Sequence, residues 1–483
     1  MIRLFGHHIA FYAIVMAMLE AGTFYLFLVA AEMAQSWYWS QKISFEPKQP
    51  VMILVLAFVA FLVMAGMGLY NRQIFADIRT SAKHALMAFP LIYVAMSLYI
   101  FIHSRFVEMD APPYYTICIL ALPVAFGVIF GVRALAIEVL DLKVLKRRVL
   151  VLGTGRLAIR IARLVQKSAR HHFSVAGFIH MGEEIGEDPP PAVNPVLPLE
   201  MVQERGALKK YVLHNGIDEI VFASRERRRQ RGNAAFGLPV WELLECKIAG
   251  AQVTDYPSFW EREAGELDLD ELQPGWLLSS EGFRIAPARK VVKRLFDVIV
   301  SFLILFFSLP LSLPAAILVK LTSPGPVFYR QERVGLDGKP FDVLKLRSMR
   351  NDAEKNGPQF AQKGDPRVTP VGRFIRLTRI DEIPQVLNVL KGDMSFIGPR
   401  PERPYFVDTL CENIPFYSER HAVKPGISGW AQINYPYGDS LDDAKRKLAF
   451  DLYYVKNGST FLDILILLQT ARVVLFPSGA GAR

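Results

Sequence analysis

Between Pro324 and Pro404 the chain crowds arginines and lysines around one adjacent pair of carboxylates. In order the stretch offers Lys345 and Arg347, then Arg373, Arg376 and Arg379, then Asp381-Glu382-Ile383-Pro384-Gln385, and finally Gly398-Pro399-Arg400-Pro401. A guanidinium is a planar fork of N–H donors that matches a phosphate, so this many arginines points to a phosphate-bearing ligand. Two neighbouring carboxylates among them point to a hard metal, Mg²⁺, that shares its coordination with substrate phosphates. Asp381 also has a purely structural reading. It could cap a helix that has Pro384 in its first turn and stops at Gly392. Both readings stand on spacing alone, and they are compatible, because a helix N-terminus also favours bound phosphate.

The elements that position these residues begin with membrane. The 483 residues suffice for about three domains of ~150 residues. Hydrophobic residues make up 52% and the mean hydropathy is +0.23, more apolar than an ordinary soluble chain. Four apolar runs, at about 9–31, 51–70, 85–103 and 113–135, approach the ~20 residues that cross a bilayer as a helix. Arg3, Arg72, Arg79, Lys83, Lys143, Lys146, Arg147 and Arg148 flank them on one side; Lys42, Lys48 and Arg105 fall on the other. The positive-inside rule then places the N-terminus and everything after the fourth run in the cytoplasm. Met1–His8 plus the long run behind it does not read as a cleaved signal. Glu20, inside the first run, reads as a structural acid facing neighbouring helices rather than a functional one.

The net charge of +10 suits anionic partners, lipid head groups and nucleotides among them. Nucleic acid is disfavoured, because no finger, basic zipper or RNA-binding signature is present. Cys118, Cys246 and Cys411 are too few and too scattered for a disulfide framework or a zinc site.

After Arg148 strands alternate with helices, which predicts a parallel α/β sheet. Predicted strands are 149–152, 173–179, 219–223 and 251–254, with helices at about 156–165, 199–214 and 238–246; 182–198 reads as a loop. Gly153-Thr154-Gly155-Arg156-Leu157-Ala158 resembles a dinucleotide turn, G-x-G-x-x-A. The acid expected at the end of the second strand is missing, since Phe178-Ile179-His180 stands there. The glycines are therefore read as serving the turn and helix packing, in a Rossmann-like module that could still take an unidentified ligand or form a dimer contact. Residues 257–282 read as an acidic linker.

A fifth apolar run, 295–321, contains Pro310 and Pro314 and has basic residues at both ends. A full crossing would export the cationic stretch. Proline removes a helical hydrogen bond and kinks or breaks the helix. The expectation is a re-entrant helix-turn-helix with its turn near Ser308-Leu309-Pro310, covered by protein or water at that depth.

Residues 293 to about 476 resemble the bacterial sugar transferase family, the monotopic polyprenyl-phosphate phosphoglycosyl transferases. The motifs are Lys-Arg-Leu-Phe-Asp (293–297), Gly-Pro-Val-Phe-Tyr-Arg-Gln-Glu-Arg-Val-Gly (325–335), Lys-Leu-Arg-Ser-Met (345–349), Asp-Glu-Ile-Pro-Gln (381–385), Gly-Pro-Arg-Pro (398–401) and Gly-Ile-Ser-Gly-Trp-Ala-Gln-Ile-Asn (426–434). Leu346 and Ile383 stand where the family usually has Phe and Leu, and a leucine separates Ser308 from Pro310. The resemblance implies a double displacement. Asp381, matching the family nucleophile, attacks the β-phosphate of a UDP-sugar, UMP leaves, and the phosphate of undecaprenyl phosphate attacks the sugar-phosphoryl aspartate. It further implies Mg²⁺ at Asp381 and Glu382. Arg400 would bind phosphate, and Lys345, Arg347, Arg376, Arg379 and Gln385 would face phosphate or nucleotide. A homodimer in the bacterial inner membrane, starting exopolysaccharide or O-antigen assembly from a glucose or galactose donor, is also implied.

The expected fold is thus an α/β membrane protein: a four-helix transmembrane region (1–147), a Rossmann-like domain (148–256), a linker (257–289), and a mainly helical catalytic domain with its re-entrant helix (290–483). Residues 461–476 could lie on the membrane surface or in a core; the surface is favoured. His421 reads as a surface histidine and His171-His172 as structural. A membrane-anchored NAD-dependent dehydratase or epimerase would need a Tyr-x-x-x-Lys pair in the Rossmann region. There Tyr211 is followed at the fourth place by Asn215. A non-enzymatic scaffold would not need Asp381, Glu382 and Arg400 intact.

Overall fold

The computed structural model describes residues 2–4, 7–9, 11–40, 50–70, 78–106, 111–139, 146–167, 173–181, 195–223, 239–272, 274–275, 283, 287–353, 365–435, 438 and 440–475. His171-His172 and most of the expected 182–198 loop lie outside them. The chain divides into two units, one of 1–70, 84–119 and 272–483, the other of 71–83 and 120–271.

Two short paired strands, β1 (Ile2–Leu4) and β2 (His7–Ile9), precede four apolar helices. These are α1 (Phe11–Ser40), α2 (Pro50–Gly66), α3 (Ile78–Phe106) and α4 (Ala111–Val139). Stretches of α1, α3 and α4, and a later 36-residue helix, are long and apolar enough to cross a membrane; α2, with 17 residues, is shorter. Glu20 is buried.

In the second unit five parallel strands lie in the order β5-β4-β3-β6-β7, with β3 (Arg147–Leu152), β4 (Phe173–Ile179), β5 (Val196–Leu197), β6 (Glu219–Phe222) and β7 (Gln252–Asp255). Val149–Leu152 is buried on both faces, as a central strand of a covered parallel sheet must be. Leu157, Ala158, Ile161 and Ala162 of α5 (Arg156–Lys167) cover one face. Leu208 and Val212 of α7 (Ala207–His214) and Leu243 and Cys246 of α8 (Val240–Ile248) cover the other.

Three expectations change here. The predicted helix over 199–214 is two helices, α6 (Glu200–Gln203) and α7, parted at Gly206, whose φ of 79° suits glycine. The 182–198 loop ends in β5, which pairs with β4. The acidic linker is not a linker at its start. Asp255 caps α9 (Tyr256–Ala264), its carboxylate accepting from the Ser258 amide, and Tyr256 and Phe259 are buried against the sheet. The Gly153 turn keeps its structural reading: Thr154 Oγ1 bonds His180 Nδ1 at 2.9 Å, so the histidine in the acid's place ties down the glycine turn.

The first unit holds the cationic stretch. Its helix α10 (Pro287–Thr322) runs unbroken through Pro310 and Pro314, so the predicted turn near Ser308 and Pro310 is not a break between two helices. Both ends of α10 dock on one body. Phe296, Val300 and Ile304 join Phe396, Ile397, Tyr454 and Ile466, while Ala315 and Val319 join Leu346, Ile375 and Ile380. Between them Phe306, Phe307, Leu309, Leu311 and Leu313 are exposed. The near end is also pinned by charge. Lys293 Nζ donates to Asp463 Oδ2, Tyr454 Oη and Ile397 O, each at 3.1 Å, and Asp297 accepts from Ser395 Oγ and the Phe396 amide at 2.9 Å.

The body is not all helical. An antiparallel hairpin of β8 (Phe328–Val334) and β9 (Pro340–Leu346) and a parallel pair of β10 (Ser395–Ile397) and β11 (Gly426–Ser428) carry the helices around them. Those helices are α11 (Pro370–Leu377), α12 (Gln385–Lys391), α13 (Pro404–Asn413), α14 (Trp430–Asn434), α15 (Leu441–Asn457) and α16 (Thr460–Leu475). α16 buries Leu462 and Ile466 in this core and meets α2, where Leu468 Cβ would lie 3.5 Å from a side chain at Gly66. It is a packed core helix on those faces, against the expected surface helix.

Candidate active site

Thr369 starts α11 by accepting the Gly372 amide at 2.9 Å, and α11 brings Arg376 near Asp381, while Arg373 on the same helix is exposed. The chain then reverses at Arg379, held left-handed at φ 60°. For a residue with a Cβ that conformation costs roughly 1–2 kcal/mol, strain of the kind found at functional sites. A 3₁₀ turn over Ile380–Glu382 follows, and only after it does α12 begin, at Gln385. Asp381 therefore does not cap α12, and the helix-cap reading is corrected: Pro384 occupies the cap position and no side chain caps the helix. The far end behaves as expected, Gly392 closing α12 at φ 100°.

The hairpin aims the lysine. Asn388 accepts the Leu344 amide at 3.0 Å and donates to Asp342 O at 2.7 Å, so α12 is riveted to β9. Lys345 Nζ then lies 3.5 Å from Glu382. Arg400 follows β10 through Gly398, where a Cβ would lie 2.3 Å from Lys424 O, so only glycine fits. Arg400 Nη2 donates to Glu382 Oε1 at 2.9 Å, and Arg379 Nη1 lies 3.8 Å from Glu382 Oε2.

The two acids consequently differ. Burial alone would raise Glu382, but Arg400, Lys345 and Arg379 outweigh it and hold its carboxyl well below the ordinary range. Asp381 is pushed up, first by burial and then by the Glu382 charge, against the pull of Lys345, Arg376 and Arg379. Burial, with Arg400 and Arg333 nearby, brings Lys345 down to about 8 despite Glu382. Among the described residues the Asp381 carboxylate accepts no hydrogen bond and forms no ion pair. It is a buried carboxylate with cations around it and nothing bound to its oxygens. Such a group can attack a phosphorus atom whose other oxygens those cations hold.

Other expected contacts are placed as follows. Gln385 is buried in the first turn of α12. Arg347 is not a free phosphate ligand. Its guanidinium is buried and donates to Pro324 O at 2.6 Å, Ser323 O at 2.8 Å, Ser323 Oγ and Asn351 Oδ1 at 2.9 Å. It clamps the chain leaving α10. His421 is half-buried. Its Nε2 is buried without a hydrogen-bond partner, and burial beside Arg420 lowers it to about 4.

Two contributors were missed. Arg333 Nη1 donates to Pro401 O at 3.3 Å and Nη2 to Gln331 Oε1 at 2.6 Å, on the face of the hairpin that also carries Lys345. The signal was available: Tyr329, Gln331 and Arg333 alternate with exposed residues at the period of a strand. Arg420, buried, donates to Asp451 Oδ2 at 2.7 Å, Tyr417 Oη at 2.8 Å and the backbone oxygen of Arg400 at 2.9 Å. It positions Arg400 from behind, a long-range contact with no local sequence signal.

A family model described as bacterial sugar transferase matches residues 288–477, which include this whole site. Over 248 residues the chain is 46% identical to a UDP-N-acetylgalactosamine-undecaprenyl-phosphate N-acetylgalactosaminephosphotransferase of Aeromonas hydrophila, covering 50% of this chain and 57% of the relative. Over 188 residues it is 43% identical to the UDP-glucose:undecaprenyl-phosphate glucose-1-phosphate transferase of Escherichia coli K12, covering 38% and 40%. The chain thus spans about half the length of these two relatives. Over 193 residues it is 42% identical to the uncharacterized sugar transferase EpsL of Bacillus subtilis, covering 39% of this chain and 90% of that one. With the site, its motifs and nearly the full length of a relative matched, the chain belongs to the bacterial sugar transferase family.

Proposed function

We propose that the protein transfers a sugar 1-phosphate from a UDP-sugar to undecaprenyl phosphate, with Asp381 as nucleophile. The observation that carries this is the unbonded Asp381 carboxylate beside Lys345, Arg376 and Arg379, next to a Glu382 that three cations already neutralise. An Asp381 oxygen attacks the β-phosphorus of the donor. The bond from that phosphorus to the bridging oxygen breaks, and its electron pair leaves with UMP. An oxygen of the lipid phosphate then attacks the same phosphorus and the aspartyl bond breaks, restoring the carboxylate. Arg400, Arg376 and Arg379 take up charge on the phosphoryl oxygens. Arg333 and Arg420 hold the Arg400 turn in place.

Mg²⁺ fits the donor set. Asp381 and Glu382 are adjacent carboxylates on the turn that follows α11. That suits an ion that takes its other ligands from phosphate and water. Asp381 and Glu382 would hold it, and it would neutralise the donor diphosphate.

The catalytic body sits at the cytoplasmic face of the membrane in this reading. A straight helix of 36 residues would be ~54 Å long, against a ~30 Å hydrocarbon core. Yet both ends of α10 dock on one body and both flanks are basic, which supports a helix that enters and leaves by the same face. Labelling the C-terminus from outside intact cells checks this, and external labelling would sink it.

The relatives' names differ in the sugar, N-acetylgalactosamine or glucose. The test is UMP release by purified protein with undecaprenyl phosphate, Mg²⁺ and a panel including both UDP-sugars. One donor should release UMP in step with lipid product. No UMP with any sugar would overturn the reading.

A further inference from the structure

α16 carries apolar residues on more than the face that meets the catalytic core. Ile464, Leu465, Ile466, Leu467 and Leu468 follow one another, so over these turns the helix is apolar on every side. Leu462, Ile466 and Thr470, four residues apart, share the face turned to the core. Leu468 stands two residues from both Ile466 and Thr470, ~200° around the axis, and so on the opposite face. There it meets Gly66, the last residue of α2. A Cβ at Gly66 would lie 3.4 Å from Leu468 O and 3.5 Å from Leu468 Cβ, so a larger side chain has Leu468 directly in front of it.

The contact is also held from the membrane side. α2 packs on α1, and His84 Nδ1 of α3 donates to Met67 O at 2.8 Å, which fixes the turn that ends α2. Arg72 follows that turn in sequence. It belongs to the basic flank that the positive-inside rule places in the cytoplasm, the side proposed for the catalytic body.

From α16 the contacts run on to the phosphate site. Thr470 Oγ1 donates to Ile466 O at 2.7 Å, so in its bond to the Ser428 hydroxyl the donor is Ser428. Ser428 belongs to β11, and its backbone oxygen accepts the Gly398 amide at 2.9 Å. Gly426 of the same strand donates its amide to Pro399 O at 2.9 Å. Gly398 and Pro399 lead directly into Arg400. β11 thus holds the entry to the turn that Arg333 and Arg420 hold elsewhere.

We infer that α2 is a positioning element of the catalytic site and not only an anchor. Gly66 is the positioning residue: packed on Leu468, it sets α16 and, through Ser428, the approach to Arg400. The inference rests on the proposed transferase reading and gives the N-terminal membrane region a share in its rate. The signature belongs in kcat, because Arg400 counts most where phosphoryl charge develops.

Contiguity alone does not establish coupling, and a double-mutant cycle measures it. In full-length protein in nanodiscs, Gly66→Leu should lower kcat for lipid-linked sugar ~10-fold or more, with little change in KM for the UDP-sugar. Adding Leu468→Ala makes room for the new side chain and should recover most of the loss. Leu54→Phe, at an exposed position of the same helix, should leave kcat as it is. Unchanged kcat in Gly66→Leu, a loss that Leu468→Ala does not relieve, or an equal loss in Leu54→Phe would overturn the inference.

Two readouts do not need turnover. Cβ atoms 3.5 Å apart lie within disulfide reach, so Gly66→Cys with Leu468→Cys should cross-link on oxidation in membranes, read by mass spectrometry of the joined peptides. In Gly66→Leu, hydrogen exchange should quicken in the peptides that carry Gly398 and Gly426, and Leu468→Ala should reverse it. No cross-link, or exchange at both glycines as in the wild type, would overturn the inference. If the wild type releases no UMP with any sugar, the transferase reading fails, while these two readouts still decide whether α2 positions the Arg400 turn.

Discussion

Replacing Arg420 with methionine should cost far more than the loss of one contact. Arg420 and Asp451 are 5% and 4% exposed at their side chains, and the pair is closed at 2.7 Å. Burial raises Asp451 even with Arg420 beside it, so the pair is held together at a desolvation cost rather than as a source of net stability. Removing the cation alone leaves a buried carboxylate, a cost of ~3–5 kcal/mol. The Tyr417 hydroxyl and the Arg400 oxygen lose their donor as well, each a further ~1–3 kcal/mol if no water replaces it. Against a total stability of ~5–15 kcal/mol for a domain, Arg420→Met should fold poorly or unfold at much lower denaturant. Arg420→Met with Asp451→Leu removes the stranded charge and should recover most of the loss, to within ~1–2 kcal/mol of wild type. Urea unfolding followed by tryptophan fluorescence, run as a double-mutant cycle, reads both. A single variant within ~1 kcal/mol of wild type, or a double variant as weak as the single, would refute the reasoning. The double variant should still turn over slowly, because the Arg400 backbone has lost its clamp.

Three further outcomes follow from the same groups. Asp381 must be ionised to attack, and its raised pKa means UMP formation is lost on acidification above the ordinary aspartate value of ~3.9. In Glu382→Gln the raising charge is gone, so the acid limb of the pH–rate profile should move to lower pH; a limb that stays put would contradict the coupling. Lys345, at about 8, loses its charge on the alkaline side, so activity should fall as pH rises through that value. Lys345→Arg should abolish that alkaline limb in the same profile. Arg379→Gly relieves the left-handed backbone, so thermal unfolding should show no loss of stability and up to ~1 kcal/mol of gain, while kcat falls ~10²-fold with the lost phosphate contact.

How much of this was legible in the sequence depended on distance along the chain. The parallel sheet, the apolar helices and the Gly392 stop follow from local pattern, and the structure has them. Asp381 misled because Pro384 and Gly392 are sound helix signals, yet a positive φ at Arg379 and a 3₁₀ turn delay the helix by three residues, moving its cap from Asp381 to Pro384. Arg347 looked like its neighbours in type, and only contacts to residues 323–324 and Asn351 show that both its terminal nitrogens are engaged within the protein. The start of the linker could have been read correctly. Asp255, Pro257 and Ser258 are a helix-start signal, and the aromatics behind them gave it a face to bury.

The central claim is that a sugar phosphate rests on Asp381 between donor and acceptor. Its most direct test is mass spectrometry of the enzyme incubated with Mg²⁺ and the productive UDP-sugar but no lipid. The account predicts a peptide containing Asp381 heavier by one sugar phosphate, chased off by undecaprenyl phosphate, with neither adduct nor turnover in Asp381→Asn. An adduct on another residue, or near-normal turnover by Asp381→Asn, would contradict it.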